Sequence, residues 1–456
     1  MTTYLSRRDF LRASALVSAS VALNLPSVSR AQAQETTKNW YKCNLHMHNQ
    51  WSDGKPLPEW AVDWYKSRGY HFICPSDHNI FQSDALRFDG FGFNYQPADK
   101  AAFKGETSLW KKVVPNEGWP NLTQRYVNES IEKFGKDAVR TIKVGDATYV
   151  RMTPFAELCE KFCEPGKFLL MPGFEQTGGC KDGRQVHMNF LNVRESFPYI
   201  GGQNEPLEVL TKTFEEGKRR YAKDGAEPYL FTANHPVWRF YDFSPSDVIK
   251  MPEIRVFEVT NNGLDGRYKN PEDGAPWTPE KFWDVVNAWR ASRGQRLLLG
   301  NGTDDRHGYE SETVAGWTMV RSAKLETRSL IEAMDAGDMY ASNGLDFADI
   351  QFDGKTLSVK IDVKEEGKYK IEFVGTKKDY NPEPKLVEVA ESKTSPKRKI
   401  ERFSDEIGVV LDTVEGTEGS YTLKADDLYV RAKIVKVPPQ TNEWNARPTA
   451  WSQPYC

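Results

Sequence analysis

Two histidines one residue apart, His46 and His48, stand at the end of an apolar run, and Asp53 follows five residues later. A second apolar run closes on Asp77-His78. Imidazole and carboxylate are the side chains that hold borderline transition metals. Along a strand, residues i and i+2 point to one side, so His46 and His48 aim into the same space. A neighbouring strand ending in Asp77-His78 would bring a third imidazole there. The chemistry implied is a metal centre assembled from adjacent strand ends.

The elements that must carry these residues recur along the chain. Seven short apolar runs cover 41–48, 71–78, 168–175, 186–193, 229–236, 254–261 and 297–307, and each begins or ends in polar residues able to bind metal or substrate. Apolar runs without strict alternation suit strands buried in a parallel sheet. Helical spacing separates several of them. Trp60, Ala61, Trp64 and Tyr65 share a face within 58–68. Phe282, Val285, Val286 and Trp289 do so within 278–293, where Thr278-Pro279-Glu280 offers a cap and a first-turn proline. A further helix is expected over 325–336, stopped at Gly337. Alternating strands and helices predict an α/β fold with a parallel sheet. Seven strands with functional tips predict a closed or nearly closed barrel, because an open sheet would gather its ligands at one switch point.

Between 81 and 152 the pattern breaks into an aromatic, glycine-rich stretch, a mixed stretch and a predicted helix over 121–134. This reads as an insertion at the barrel mouth, either a lid or a plain surface excursion. The barrel is expected to occupy 34–340. From 341 to 456 the runs turn short and partly alternating, with Gly, Asp, Lys and Pro between them, which predicts a small all-β, sandwich-like domain. At the other end, Arg7-Arg8 with Phe10 and Leu11 precede an uncharged stretch over 13–29 and then Ala31-Gln32-Ala33. Residues 1–33 resemble a twin-arginine export signal, which implies a periplasmic or secreted protein.

Composition narrows the function classes. The chain has 456 residues, 39% of them hydrophobic, and no run beyond the signal reaches the roughly 18 apolar residues of a membrane helix. Taking Arg7, Arg8, Arg12, Arg30 and Asp9 from 61 basic and 64 acidic residues leaves 57 against 63, a balance of −6. An acidic chain without a basic stripe is a poor nucleic-acid binder. Six cysteines allow 15 disulfide pairings, and the sequence does not choose among them. Cys43 and Cys74 lie in apolar runs and read as small hydrophobes, Cys159 and Cys163 share a helix face, and no CxxC pair offers a zinc knuckle. The absence of a GxSxG elbow and of a P-loop removes serine hydrolases and nucleotide-driven kinases.

All seven histidines lie along the candidate strands or at their tips, and the last 149 residues contain none. Scattered core histidines would not follow the strands and avoid a whole domain. His187 opens its run instead of closing it. His71 starts its strand, on the far side from the tips, where a structural role is expected.

The pattern resembles the PHP family, the polymerase and histidinol phosphatase metallohydrolases. The match runs over strand tips from Asn44 to Tyr309: HxH, Asp53 and Asp77-His78, then Glu175 in PGFEQT, His187 in VHMNF, His235 in ANHPVW and Asp305-x-His307 in GTDDRHG. The resemblance implies a distorted (β/α)7 barrel with three metal positions. His46, His48, Glu175 and Asp305 would hold the first. Glu175 would bridge to a second, completed by His187 and His235. Asp53, His78 and His307 would hold the third, although some members carry histidine where this chain has Asp53. Imidazole and carboxylate alone suit zinc, manganese or iron. Asp304 is the alternative to Asp305, disfavoured by its spacing to His307, and Asp77 is expected to orient a neighbouring ligand.

Clustered divalent ions would lower the pKa of a bound water and neutralise charge on a substrate oxygen. The expected reaction is in-line attack of a metal-bridging hydroxide on a phosphoric ester of a small molecule. Arg184, Arg239 and Arg306 are candidates for bidentate contacts to phosphate. Two alternatives stay open: hydrolysis of an amide, carboxyl ester or sugar-derived bond, and metal-dependent binding without catalysis.

Overall fold

A computed structural model describes residues 38–83, 103, 109–116, 118, 121–223, 225–238, 241–261, 277–309, 314–389, 397–439 and 447–456. The candidate export signal and Arg239 lie outside the described residues. Lys38–Cys456 form one compact unit of mixed α/β structure.

The apolar runs read from the sequence become two sheets. In the first, β1 (Asn39–Asn44), β2 (Phe72–Ile73) and β3 (Leu169–Leu170) pair in parallel. The second contains β4 (Gly173–Cys180), β5 (Gln185–Leu191), β6 (Leu230–Ala233), β7 (Val256–Asn261) and β8 (Leu299–Thr303), in that order. The sheets meet at two seams. His78 bridges to Glu175 and Met47 bridges to Arg306. At these seams Glu175 N donates to Ser76 O at 3.1 Å, and Asp305 N to His46 O at 2.9 Å. Hydrogen bonds therefore pass from β1 through β2 and β4–β8 and back to the segment after β1.

One strand departs from the expected parallel order. β5 runs antiparallel to both β4 and β6. The cause is local: four residues, Lys181–Arg184, join β4 to β5, and a parallel neighbour needs a crossover of about a dozen or more. Asp182-Gly183 makes the turn, with Gly183 at φ 89° and Cys180 N bonded to Arg184 O at 2.8 Å. Reversal puts the start of β5 beside the ends of the other strands. His187 therefore opens its run and still reaches the same end as His46 and His78.

Helices cover the strands as the spacing predicts. α1 (Pro58–Lys66) buries Ala61, Trp64 and Tyr65. α2 (Pro279–Ala291) is capped by Thr278, whose Oγ1 accepts from Lys281 N at 3.1 Å, and it buries Phe282, Trp283, Val285 and Val286. A Cβ on Gly300 would stand 2.9 Å from the Trp283 ring, so glycine in β8 lets α2 sit close. α3 (Thr327–Ala336) ends at Gly337 in the left-handed region, φ 81°. Among the described residues no helix is long and apolar enough to cross a membrane.

The first sheet continues beyond β1 through β9 (Trp317–Ser322) and β10 (Met339–Ser342). It then takes in strands from the last third of the chain: β11 (Lys368–Lys377), β12 (Val409–Glu415), β13 (Asp427–Val437) and β14 (Thr449–Trp451). A three-stranded sheet of 346–352, 356–362 and 418–422 shares an apolar core with β11 and β13, built from Phe347, Leu357, Ile361, Ile371, Phe373 and Ile434 among others. β14 pairs with both β10 and β13. Just past it, Gln453 donates to Gly300 O at 2.7 Å and accepts from Gly300 N at 2.8 Å. The C-terminal segment is thus bonded into the strand that carries Asp305.

The described part of the insertion forms a four-stranded sheet and the helix Gln124–Phe134. Its core, with Leu109, Trp110, Leu122 and Val150, closes over Trp51, Leu57 and Ile80. All six thiols are free.

Candidate metal centre

β1 delivers its histidines by simple alternation. Leu45 and Met47 enter two apolar clusters, while His46 and His48 point into the interior, fully buried. Asn44 ties this tip to its neighbours: Oδ1 accepts from Asp304 N at 3.1 Å, and Nδ2 donates to Tyr65 Oη at 2.7 Å. Two residues of the site, His235 (φ 25°) and Asp305 (φ 42°), occupy the left-handed region, where non-glycine backbone is strained. Each turns the chain at a strand end.

Four atoms converge at the first position. His46 Nε2 lies 3.1 Å from His48 Nε2, 3.3 Å from Glu175 Oε2 and 3.3 Å from Asp305 Oδ1. His48 Nε2 lies 3.4 Å from Glu175 Oε2 and 3.1 Å from Asp305 Oδ1. An ion held tetrahedrally at about 2.0–2.1 Å separates its ligand atoms by roughly 3.3–3.4 Å. The five distances sit near that edge length; His46, His48 and Glu175 form a set compact enough to hold an ion, and Asp305 Oδ1 touches both imidazoles without joining that set. Glu175 Oε2 is also buried without a well-formed hydrogen bond, although His78 Nδ1 is 2.8 Å away. An orphaned buried carboxylate oxygen is costly unless a cation meets it. The residues present fit a divalent ion.

Of the other two expected groups, Asp53, His78 and His307 come together with His48, while the second divides: His187 and Glu175 group with His78, and His235 groups with His46 and Glu258. Glu175 Oε1 is 3.0 Å from His187 Nδ1 and 3.6 Å from His235 Nε2, and Asp305 Oδ2 is 3.9 Å from His235 Nε2. Asp53 Oδ2 is 3.2 Å from His307 Nε2 and 3.6 Å from His78 Nε2. The rings of His48 and His307 stack at 4.1 Å. Sets that could hold an ion include His46, His48 and Glu175; His78, Glu175 and His187; and His48, Asp53, His78 and His307. His307 is the open member, with 34% of its side chain exposed, so the centre faces solvent on its side.

The charges follow from crowding. Burial opposes ionisation of Glu175, but His46, His78 and His187 outweigh it and hold the carboxyl well below its usual range. Burial likewise opposes charge on Asp53, and His307 and His78 overcome it. Burial, with His307 and His78 nearby, brings His48 down to about 3, and burial brings His187 down to about 4. His307 resists burial because Asp53 and Asp305 raise it to about 10. Burial therefore keeps His48 and His187 neutral, whereas the neighbouring carboxylates raise His46, His78, His235 and His307, protons that those four would give up on binding an ion.

One residue of the site was missed in the sequence. Glu258, on β7, is buried, and its Oε1 accepts from His46 Nδ1 at 2.7 Å and Thr303 Oγ1 at 2.8 Å. Its Oε2 accepts from His235 N at 2.9 Å and Asn261 Nδ2 at 2.7 Å. Glu258, His46 and His235 are grouped closely enough to hold an ion, but both carboxylate oxygens are already satisfied. The bond to Nδ1 instead turns Nε2 of His46 toward Glu175 and Asp305. The available signal was an acid in the middle of the apolar run 254–261.

The remaining candidates are placed as follows. Asp77 accepts from Asn49 N, Ser52 N and Ser52 Oγ and so fixes the loop before Asp53. Asp304 is taken up by Tyr65 Oη, Arg306 Nε and Ala315 N. Arg306 pairs with Asp304 at 2.6 Å and stacks over Trp64. Arg184 is bound to Asp182 and Glu205 at the hairpin turn. His71 Nδ1 accepts from Lys42 N at 3.0 Å and joins none of the ligand groups.

No protein-family model matches the chain, and no curated protein matches it. A solved structure from Bacteroides vulgatus, described as a two-domain protein containing a predicted PHP-like metal-dependent phosphoesterase, aligns with a TM-score of 0.36 and 15% identity. That alignment covers 86% of this chain and 90% of the other.

Proposed function

We propose that the chain is a metal-dependent hydrolase, and that its reaction is cleavage of a phosphoric ester of a small molecule. The observation that carries this reading is the buried, compact set of His46, His48 and Glu175, with Asp305 Oδ1 against both imidazoles and Glu175 Oε2 without a well-formed hydrogen bond. In this reading the seven linked strands act as a distorted barrel with its chemistry at one mouth. Bound divalent ions would activate water and neutralise charge growing on the substrate oxygen. Glu175 offers one oxygen to the first position and the other to the second. Glu258 keeps His46 in the tautomer that presents Nε2. His307, at the open side, gives up its proton to solvent when Asp53 turns to an ion. The acceptors are zinc, manganese or iron, two or three per chain. Export by the twin-arginine route belongs to the same proposal.

A second reading is favoured by one specific observation. Arg184 and Arg306 are both engaged by carboxylates away from the ligand cluster. With these two guanidiniums engaged by carboxylates and Arg239 outside the described residues, a carbonyl substrate, an amide, carboxyl ester or sugar-derived bond, suits the described site as well as a phosphate does. The test is a panel of aryl phosphates, aryl esters and aryl amides with manganese, zinc and iron supplied in turn. Turnover of phosphates supports the first reading, and turnover of esters or amides alone replaces it with the second. Failure on every substrate by a fully loaded protein, with tight ligand binding, would leave a binding protein.

A further inference from the structure

The loop 49–54, which carries Asp53, is held from two directions. On the inside, Asp77 accepts from Asn49 N at 3.0 Å, Asn49 Nδ2 at 2.9 Å and Ser52 Oγ at 2.7 Å. On the outside, Gln50 N and Nε2 donate to Pro56 O at 2.9 Å and Lys55 O at 3.0 Å, and further holds come from the insertion and its end. Lys111 Nζ donates to Gln50 O at 3.0 Å and to Ser52 O at 3.1 Å. Gln50 Nε2 donates to Asn121 O at 3.2 Å, and Trp51 Nε1 to Thr153 O at 2.9 Å. Trp51 is fully buried in the core of the insertion.

This loop has no slack. A Cβ on Gly54 would stand 2.3 Å from Asn49 N and 2.3 Å from His48 C. Ser52 Oγ meets Asp53 Oδ1 at 3.2 Å and His48 Nδ1 at 3.4 Å, so the path of Gln50–Ser52 fixes two members of the third ligand group. A single ammonium gathers the two main-chain carbonyls that define that path.

We propose that the insertion is a clamp on the Asp53 loop, and that Lys111 is the positioning residue through which it sets occupancy of the third metal position. The proposal rests on the metal-centre reading. The side chain acts in two opposed ways: its N–H groups fix the loop, and its protonated form, which burial makes easier to lose, repels an ion nearby. Positioning dominates, and the two effects have opposite signs when Lys111 is replaced.

The experiment compares the full-length protein with Lys111→Met and Lys111→Arg. Amide hydrogen exchange over 49–54 is read on chelator-treated protein, and zinc bound per chain is read against free zinc. Lys111→Met should speed exchange in that loop about tenfold. It should also weaken the last zinc step about tenfold, the scale of a lost outer-layer partner, with the other steps unchanged. Lys111→Arg should restore both. Unchanged exchange overturns the clamp. A last zinc step that is unaltered or tighter, or a uniform loss at every step together with the urea midpoint, overturns the positioning role. A wild-type protein that takes up no zinc refutes the metal-centre reading by itself, and the exchange measurement still decides the clamp.

Discussion

Replacing Glu258 by glutamine keeps the volume of the side chain and removes one acceptor. In the native site four donors converge on two oxygens: His46 Nδ1 and Thr303 Oγ1 on one, His235 N and Asn261 Nδ2 on the other. If the amide oxygen stays toward His46, its NH2 group confronts the N–H of His235. Turned over, it confronts His46 Nδ1. The first orientation loses the bonds of His235 N and Asn261 Nδ2, and the second loses that of His46 while the Thr303 hydroxyl can turn to accept; each lost bond to a charged acceptor costs about 1.5–3 kcal/mol. The ligand itself loses orientation, and changes of this kind lower metal affinity by about 10–100-fold. Glu258→Gln should therefore show a lower urea midpoint in chelator, and zinc should leave its tightest position to a competing chelator about 10–100-fold more readily. A variant that is destabilised yet binds zinc with native affinity would refute the argument, because Glu258 would then hold the strands and not His46.

Three further expectations follow. In the metal-free protein His48 and His187, lowered to about 3 and about 4, hold fewer protons than in the unfolded chain, so stability rises with pH up to their ordinary value of 6.5. His307, raised to about 10, acts oppositely, and stability falls as pH climbs from 6.5 toward 10. Urea midpoints in chelator should thus peak near pH 6.5, and a midpoint still rising at pH 9 would contradict the assignment. Gln453→Ala leaves Gly300 N and Gly300 O unpaired in the interior, a loss of roughly 2–5 kcal/mol for two such groups; an unchanged urea midpoint would contradict this. A hydrogen bond from Cys159 lowers the Cys163 thiol to about 6, while burial raises Cys43 and Cys74. Alkylation at pH 7 should therefore mark Cys163 well before those two, and equal rates read by peptide mass would contradict it.

Much of the site was legible because its residues are chemically unusual where they sit. Histidines at the ends of apolar runs have no packing reason to recur, and His46, His48, His78, His187, His235 and His307 do meet in space. The helices over 58–66, 279–291 and 327–336 were visible from apolar spacing and their Pro and Gly boundaries. The direction of β5 departs from the uniformly parallel order that seven apolar runs predict, because Asp182-Gly183 leaves no length for a crossover. Glu258 passed unnoticed because one acid in an apolar strand also fits an edge or a bulge. Lys111 was not legible at all. Its meaning depends on where the insertion folds back, and that is set by burial of Trp51 against residues about 60 to 100 positions away. Continuation of the β1 sheet through β14 into the last third of the chain was hidden for the same reason: strand pairing across such distances leaves no periodic trace.

The central claim is that nine side chains from distant parts of the chain hold transition metals together. Elemental analysis of the purified protein, loaded with zinc, manganese or iron and freed of excess, tests it most directly, alongside His46→Ala. The account predicts two or three ions per wild-type chain and loss of metal from the variant. A well-loaded wild-type chain that retains no transition metal, or a His46→Ala chain that retains the full complement, would contradict it.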